Sequence, residues 1–495
     1  MNTKRVSRIV FVILVHIAFA SSAPSATVQL AKVVTYNAPR GAERADDFVV
    51  KINGREIFVY DSKVAALAYF SFNGEATVTV THNKDIKNVD IRPKSHGVTH
   101  SIKGRTVSFQ LDQHCNLSIE INGDIKRPLF LFANPLEQNP PGPGDENVRY
   151  FEAGKIHEAG EIKVGSGQTV YIPGGTIVRG RFRAEGAKNV RVIGRGILDG
   201  SHRDYKTQMV KLSGCSNVEL NGITVLNSYG WTLVPVKSDN VRISNVKVIG
   251  WRDNDDGVDI VGCRNLMIDG CFLRTKDDCI AVKASPGYFK EGESGLRNVE
   301  TVRVIDTVLW NAEWCNAMEI GFELQTGKIS DIQFKNCDII HVERGGTFTI
   351  HNGDFARVED IIFEDIRVED SRDKLIEFRI GLSIYSADCP WEFARKNPKR
   401  KRSPLGQWLE VGPDKEEDYA GRRGHIRNVR FKNIAVTGTT LPKSYLIGYN
   451  DTRCVENVTI ENLDFNGRRI LNAEAGNFTI DKVKNVRFKK SERLK

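Results

Sequence analysis

Asn217-Val218-Glu219-Leu220-Asn221-Gly222 is one copy of a unit that decides the fold. The same pattern, an Asn followed by alternating apolar residues and a turn, stands at Asn189-Val190-Arg191-Val192-Ile193-Gly194, Asn240-Val241-Arg242-Ile243-Ser244-Asn245 and Asn265-Leu266-Met267-Ile268-Asp269-Gly270. Later copies begin at Asp331, Asp360, Asn428, Asn457 and Asn485. Short alternation is a strand signal, and copies about 23 to 30 residues apart, where no loop intervenes, have the period of a solenoid. Strands without helices select a parallel β-helix over helical repeats. Each Asn is expected in a tight turn, its side chain bonded to the backbone.

Ahead of the repeats the pattern changes. Phe48 to Ile52, Ile57 to Tyr60, Ala76 to Val80, Val107 to Leu111 and Leu117 to Ile121 alternate, and Asn53-Gly54, Asn73-Gly74 and Asn122-Gly123 punctuate them. This predicts a small antiparallel β-sandwich over residues 27–138. Asn139-Pro140-Pro141-Gly142-Pro143-Gly144 reads as a joint, with a linker over 139–146 and the β-helix over 147–495. The fold class is therefore all-β.

Residues 1–26 combine Lys4, Arg5 and Arg8 with the apolar run Ile9 to Ala20 and the small residues Ser21-Ser22-Ala23, the pattern of a cleaved export signal. No later run approaches the ~18 apolar residues of a membrane span, so membrane insertion is not expected. The net charge of +9 includes a basic run, Arg395 to Arg402, in a Pro-containing loop. No nucleic-acid module accompanies it, so nucleic acid is not expected as a partner. An anionic polysaccharide or an acidic envelope surface would suit the charge equally. The nine cysteines lack the short paired spacings and His partners of a metal site, and read as small core residues with room for one or two disulfides. No metal and no cofactor is expected, and the protein is expected to be a monomer.

The chemistry concentrates in Asn254-Asp255-Asp256-Gly257 and Lys276-Asp277-Asp278-Cys279-Ile280-Ala281-Val282-Lys283. Asp256 and Asp277 are 21 residues apart, about one coil. Stacking at the ~4.8 Å strand spacing would set Asp256 beside Asp277 and Asp278. Carboxylates that close cannot all ionise freely, so one keeps its proton near neutrality. A held proton beside ionised carboxylates is what glycosidic bond hydrolysis requires.

Those two strings resemble the paired signatures of glycoside hydrolase family 28, the polygalacturonases. Val170 to Gly175 and Val192 to Gly200 resemble the opening coils of the same clan, and a sandwich ahead of the helix is similar to family 49, the dextranases and isopullulanases. The resemblance implies a right-handed parallel β-helix and hydrolysis of an α-glycosidic bond with inversion. It gives Asp277 the role of general acid, gives Asp256 and Asp278 the positioning and deprotonation of water, and has Asn254 hold that network. Polygalacturonases carry a Gly-His-Gly element and then an Arg-Ile-Lys element that pairs with a uronic carboxylate. Here Asn316 falls at the His position, and Thr347 and Thr349 stand where the cations would fall, so the substrate site is altered. His351, Arg379 and Lys283 are candidates for substrate contact in their place.

Inserts at Ser285 to Asn298 and Ser383 to Gly424 are expected to wall a groove. Trp231, Tyr288, Trp310, Trp314, Trp391 and Trp408 are stacking candidates, and Trp231 and Trp314 lead because they flank the carboxylate strands. The reading is an exported hydrolase of a polysaccharide or oligosaccharide. Two alternatives stand beside it: a polysaccharide lyase on the same helix, and a non-catalytic carbohydrate-binding solenoid.

Overall fold

The computed structural model describes residues 32–202, 204–285, 297–390, 408–409 and 416–490. The expected signal at 1–26, the basic run 395–402, Tyr288 and Trp391 lie outside them. No helix among the described residues is long and apolar enough to cross a membrane.

The first unit is two facing sheets. One orders Arg55–Ile57, Phe48–Ile52, Ala76–His82, Thr106–Leu111 and His100–Lys103. The other orders Lys32–Val34, Ala66–Asn73, Leu129–Pro135, Cys115–Ile121 and Val89–Arg92, with Tyr60–Asp61 added at Ala66–Asn73. The sandwich is not wholly antiparallel as expected. Its last strand, Leu129–Pro135, inserts between two earlier ones and runs parallel to Ala66–Asn73. Those two strands also lack a clean polar alternation because both of their faces are covered. Ala66, Ala68, Leu129 and Leu131 face the sandwich core, while Leu67, Tyr69, Phe130 and Phe132 face the second unit.

That second unit is a right-handed parallel β-helix of thirty strands, from Val148–Tyr150 to Val483–Lys489. Each coil contributes up to three strands, so the helix has three faces. Inside, apolar residues stack rung upon rung: Val241, Leu266, Val302, Ile332 and Ile361 form one such column and are buried. Burying a side chain of this kind is worth ~1.5–3 kcal/mol, and each coil repeats the gain. All nine cysteines are free, seven of them buried, so the disulfides allowed for by the sequence are not formed.

The repeated asparagines mark one corner, where Asn217, Asn240 and Asn265 adopt φ of 56°, 54° and 52°. Their side chains bond to one another rather than to the backbone as expected. The amide of Asn217 donates to Asn189 (3.1 Å), that of Asn240 to Asn217 (3.0 Å) and that of Asn265 to Asn240 (2.6 Å). Identical amides stacked at the strand spacing each donate to the coil before.

One outer face of the helix is covered by the sandwich. Leu226, Ile249, Phe272, Trp310 and Ile340, on successive coils, join Tyr69, Phe130 and Phe132 in one apolar cluster. Glu120 lies 2.9 Å from His341, and Arg92 donates to Glu369 at 2.6 Å. A second face, made by Val258–Val261, Ile280–Ala284, Met318–Leu324, Gly346–Asn352 and Lys374–Ile380 in register, carries the acidic residues.

The corner ladder makes a testable claim. Asn240→Ala should cost about 2 kcal/mol, from lost amide contacts and a left-handed backbone that alanine adopts less readily than asparagine. Asn240→Gly should recover about half of that, because glycine adopts the same φ freely. Urea melts of both variants check the order.

Candidate active site

Rungs of the second face begin at a corner where the backbone bonds run Gly257 N–H to Asp278 C=O (2.9 Å) and Cys279 N–H to Asn316 C=O (2.9 Å). Asp256, Asp278 and Asn316 therefore occupy one position on consecutive coils. Gly257 permits the close stacking, since a Cβ there would lie 2.4 Å from the Cys279 carbonyl oxygen.

Asp255 shapes this corner. It is buried, and it accepts the backbone N–H groups of Lys276 (2.8 Å) and Asp277 (3.1 Å) on one oxygen and that of Arg252 (3.0 Å) on the other. Asn254, expected to hold the network, is exposed with φ 56° and accepts from Lys206 instead. Asp277 is clamped by its own carbonyl, which accepts from Thr275 (2.7 Å) and Asn311 (2.6 Å), and its side chain stays partly exposed.

The carboxylates are packed against one ammonium. Lys283 Nζ lies 3.5 Å from Asp256, 3.3 Å from Asp259 and 4.1 Å from the centre of the Trp231 ring, with its side chain 8% exposed. Burial, and then the charges of Asp259 and Asp277, hold Asp256 well above the usual carboxylate range against the pull of Lys283. Burial followed by Asp277 and Glu319 does the same to Asp278. Burial pushes Asp259 up to about 7 and Asp255 up to about 8. At neutral pH the cluster therefore retains protons. Asp277, Asp278 and Cys315 bring donor atoms within 4.8 Å of one another. The Cys315 thiol is held well above its ordinary range by burial and then by the two aspartates, and hard cations take oxygen ligands, so the trio does not fit Ca²⁺ or Mg²⁺.

A second charged array sits one to three coils further on. Asn316 links the two, donating its backbone N–H to Asp278 (2.8 Å) and its side chain to Glu319 (2.9 Å). His351 lies 3.0 Å from Glu319 and 3.2 Å from Glu377, which is also held by Lys374. Burial alone would depress His351, but the two glutamates reverse this and push it up to about 9. Burial opposes the ionisation of Glu377, yet His351 and Lys374 bring it down to about 2. Asn316, His351 and Lys283 are thus buried within the charge network. Trp231 and Trp314 are half-buried, the latter under Arg344 at 4.6 Å. Arg379 lies on the rung after His351 and stacks on Trp408 at 5.0 Å. Trp310 is buried against the sandwich, away from this face.

Sequence reasoning overlooked Asp255, Asp259, Glu319 and Glu377. The signal for two of them was there: Asp259 follows Asp256 by three residues, and Glu319 follows Asn316 by the same offset.

Residues 174–377 match the family model described as glycosyl hydrolases family 28. A probable polygalacturonase of Vitis vinifera is 26% identical over 165 residues, 33% of this chain and 33% of its own length. Exopolygalacturonase clone GBGE184 of Arabidopsis thaliana is 27% identical over 170 residues, 34% of this chain and 37% of its own. The chain spans about a third of the length of these curated relatives. Dex49A from Penicillium minioluteum superposes with a TM-score of 0.62 at 15% identity, over 92% of this chain and 96% of that one. It shares the fold, sandwich included.

The pKa directions set the pH dependence of stability. Asp255, Asp256, Asp259, Asp278 and His351 are all raised in the fold, so their contributions are full below the unfolded values, ~4 for Asp and ~6.5 for His. They are lost as pH climbs to about 8 for Asp255 and about 9 for His351. Glu377, lowered to about 2, acts oppositely and loses its contribution only as pH falls below ~4. Thermal melts should show a maximum near pH ~5 and a steady decline toward pH ~9. Asp255→Asn should flatten that decline.

Proposed function

We propose that the protein is an exported, monomeric glycoside hydrolase that cleaves an α-glycosidic bond of a polysaccharide or oligosaccharide with inversion. The observation that carries this reading is the group of Asp256, Asp277 and Asp278 on adjoining coils, two of them buried and proton-retaining and one partly exposed. Asp277 protonates the departing oxygen. Asp256 and Asp278 hold the attacking water, and the Lys283 ammonium and the Asn316 N–H allow one of them to ionise and accept its proton. Export rests on the pattern of residues 1–26.

The sugar at the cleaved bond is uncharged in this reading. Thr347 and Thr349 are fully buried, Thr349 bonding to Glu319 and to the Met318 carbonyl. Neither supplies the charge-assisted contact a uronic carboxylate needs, and the imidazolium of His351 is already shared between two glutamates.

Asp277→Asn keeps the side-chain shape and removes the proton transfer. Activity on an unactivated substrate should fall roughly 10²- to 10⁴-fold, and full activity in the folded variant would remove Asp277 from that role. Early proton NMR of the new reducing end should show the β-anomer first from an α-linked glycan, whereas an α-anomer first would overturn the roles of all three aspartates. Plain polygalacturonate should be a poorer substrate than a neutral or mixed-linkage α-glycan. Efficient release of galacturonic acid would instead assign the missing charge to Arg344, Lys283 or Arg379.

A further inference from the structure

The face that carries the aspartates continues toward the N-terminal end of the helix, and its charge changes sign there. Lys163, Arg183 and Lys211 stand opposite one another on three consecutive coils. Lys211 pairs in register with Val234, and the next rung of that column is Asp259. One column thus runs from cations through an apolar residue into the acidic cluster.

The upstream part is a cleft of about 1210 Å³. Lys163, Arg181, Arg183, Lys211 and Lys237 line it, against the carboxylates of Glu161 and Glu185. Glu161 is engaged by Arg181 at 2.7 Å. Arg183 is pinned by the carbonyls of Phe182 and Gln208, both at 2.8 Å, so its charge is presented in a fixed place. Trp231 forms the end wall, and behind that ring stands Lys283 with Asp256. The cleft and the aspartates therefore adjoin across that ring on one face of the helix. Toward the C-terminal end the charges beneath this face are buried and paired: Glu319 and Glu377 face His351 and Lys374.

We propose that this cleft binds anionic substituents, carboxylate or sulfate, on the sugars lying upstream of the cleaved bond, so that the substrate is a glycan charged on one side of that bond only. A polymer bearing one carboxylate per sugar would gain in the cleft, whereas beyond it the cations His351 and Lys374 are already held by buried glutamates. A glycan with its charges confined to the upstream sugars gains in the cleft without loss beyond it. The coil spacing of ~4.8 Å sets Lys211 about 10 Å from the Asp259 rung, which separates the anion-reading stretch from the chemistry. The inference rests on the hydrolase reading for the direction of the groove and deepens its substrate class.

The test measures binding with the Asp277→Asn protein, which turns nothing over in that reading. Dextran, dextran sulfate, polygalacturonate and the sugar-free polyanion polyacrylate serve as probes at low and physiological salt. Dextran sulfate or polygalacturonate should bind at least about tenfold more tightly than dextran, with the advantage shrinking as salt screens it. Preference between the two separates sulfate from carboxylate. Adding K163Q, K211Q and K237Q, all at partly or fully exposed positions, should abolish the advantage and leave the binding of dextran unchanged. Equal binding of all probes, an unchanged advantage in the triple variant, or polyacrylate binding as tightly as the anionic glycans would each overturn the proposal. Retained anionic binding by a protein that hydrolyses no glycan would remove the hydrolase reading and leave the cleft standing.

Discussion

Everything in this molecule depends on parallel, in-register stacking at one strand spacing. A residue type repeated in a column meets itself ~4.8 Å away in the next coil. For asparagine this is favourable, and the corner ladder of Asn189, Asn217, Asn240 and Asn265 is the result. For carboxylates it is costly, and the main acidic column avoids it by alternation: Asp259, Ala281, Glu319, Thr349 and Glu377 put a neutral residue between each pair of acids. The neighbouring position makes no such concession, since Asp278 follows Asp256 directly. Repulsion that is dispersed elsewhere is concentrated at that one corner, where it adds to the burial that chiefly holds the protons of the cluster.

Legibility tracked how many faces of a strand are covered. The repeat units, half buried, alternate cleanly and betray the helix, as do Phe48–Ile52 and Ala76–His82 in the sandwich. Ala66–Asn73 and Leu129–Pro135 are central to the domain yet carry no alternation, because one side fills the sandwich and the other meets the helix. At the site, the aspartates that share a motif could be read directly. The burial of Asp255, and its hold on the backbone N–H groups of Arg252, Lys276 and Asp277, could not, since it turns on the path of one tight turn. The glutamates around His351 lie 32 residues before it and 26 after it in the chain, distances at which only register brings residues together.

The charge balance of the groove also explains why buried ionisable groups are tolerated. Lys283 faces two aspartates, and His351 faces two glutamates with Lys374 beside one of them. Removing one member of such a group leaves another charge buried without compensation, a change that typically costs ~3–5 kcal/mol. The site is thereby tied to the stability of the coils that bear it.

A solenoid touches only its neighbours in sequence, and left to itself it can fray from either end one coil at a time. The sandwich removes that freedom. Its strand Leu129–Pro135 and the residues beside it pack against coils from Ile177 to Ile340, and Arg92 reaches Glu369. A coil within this span cannot peel away without breaking contact with a rigid bar that its fellows share. The middle of the helix, where the aspartates stand, is therefore expected to open as one cooperative block, while the coils beyond Val436 keep the independence of an ordinary repeat.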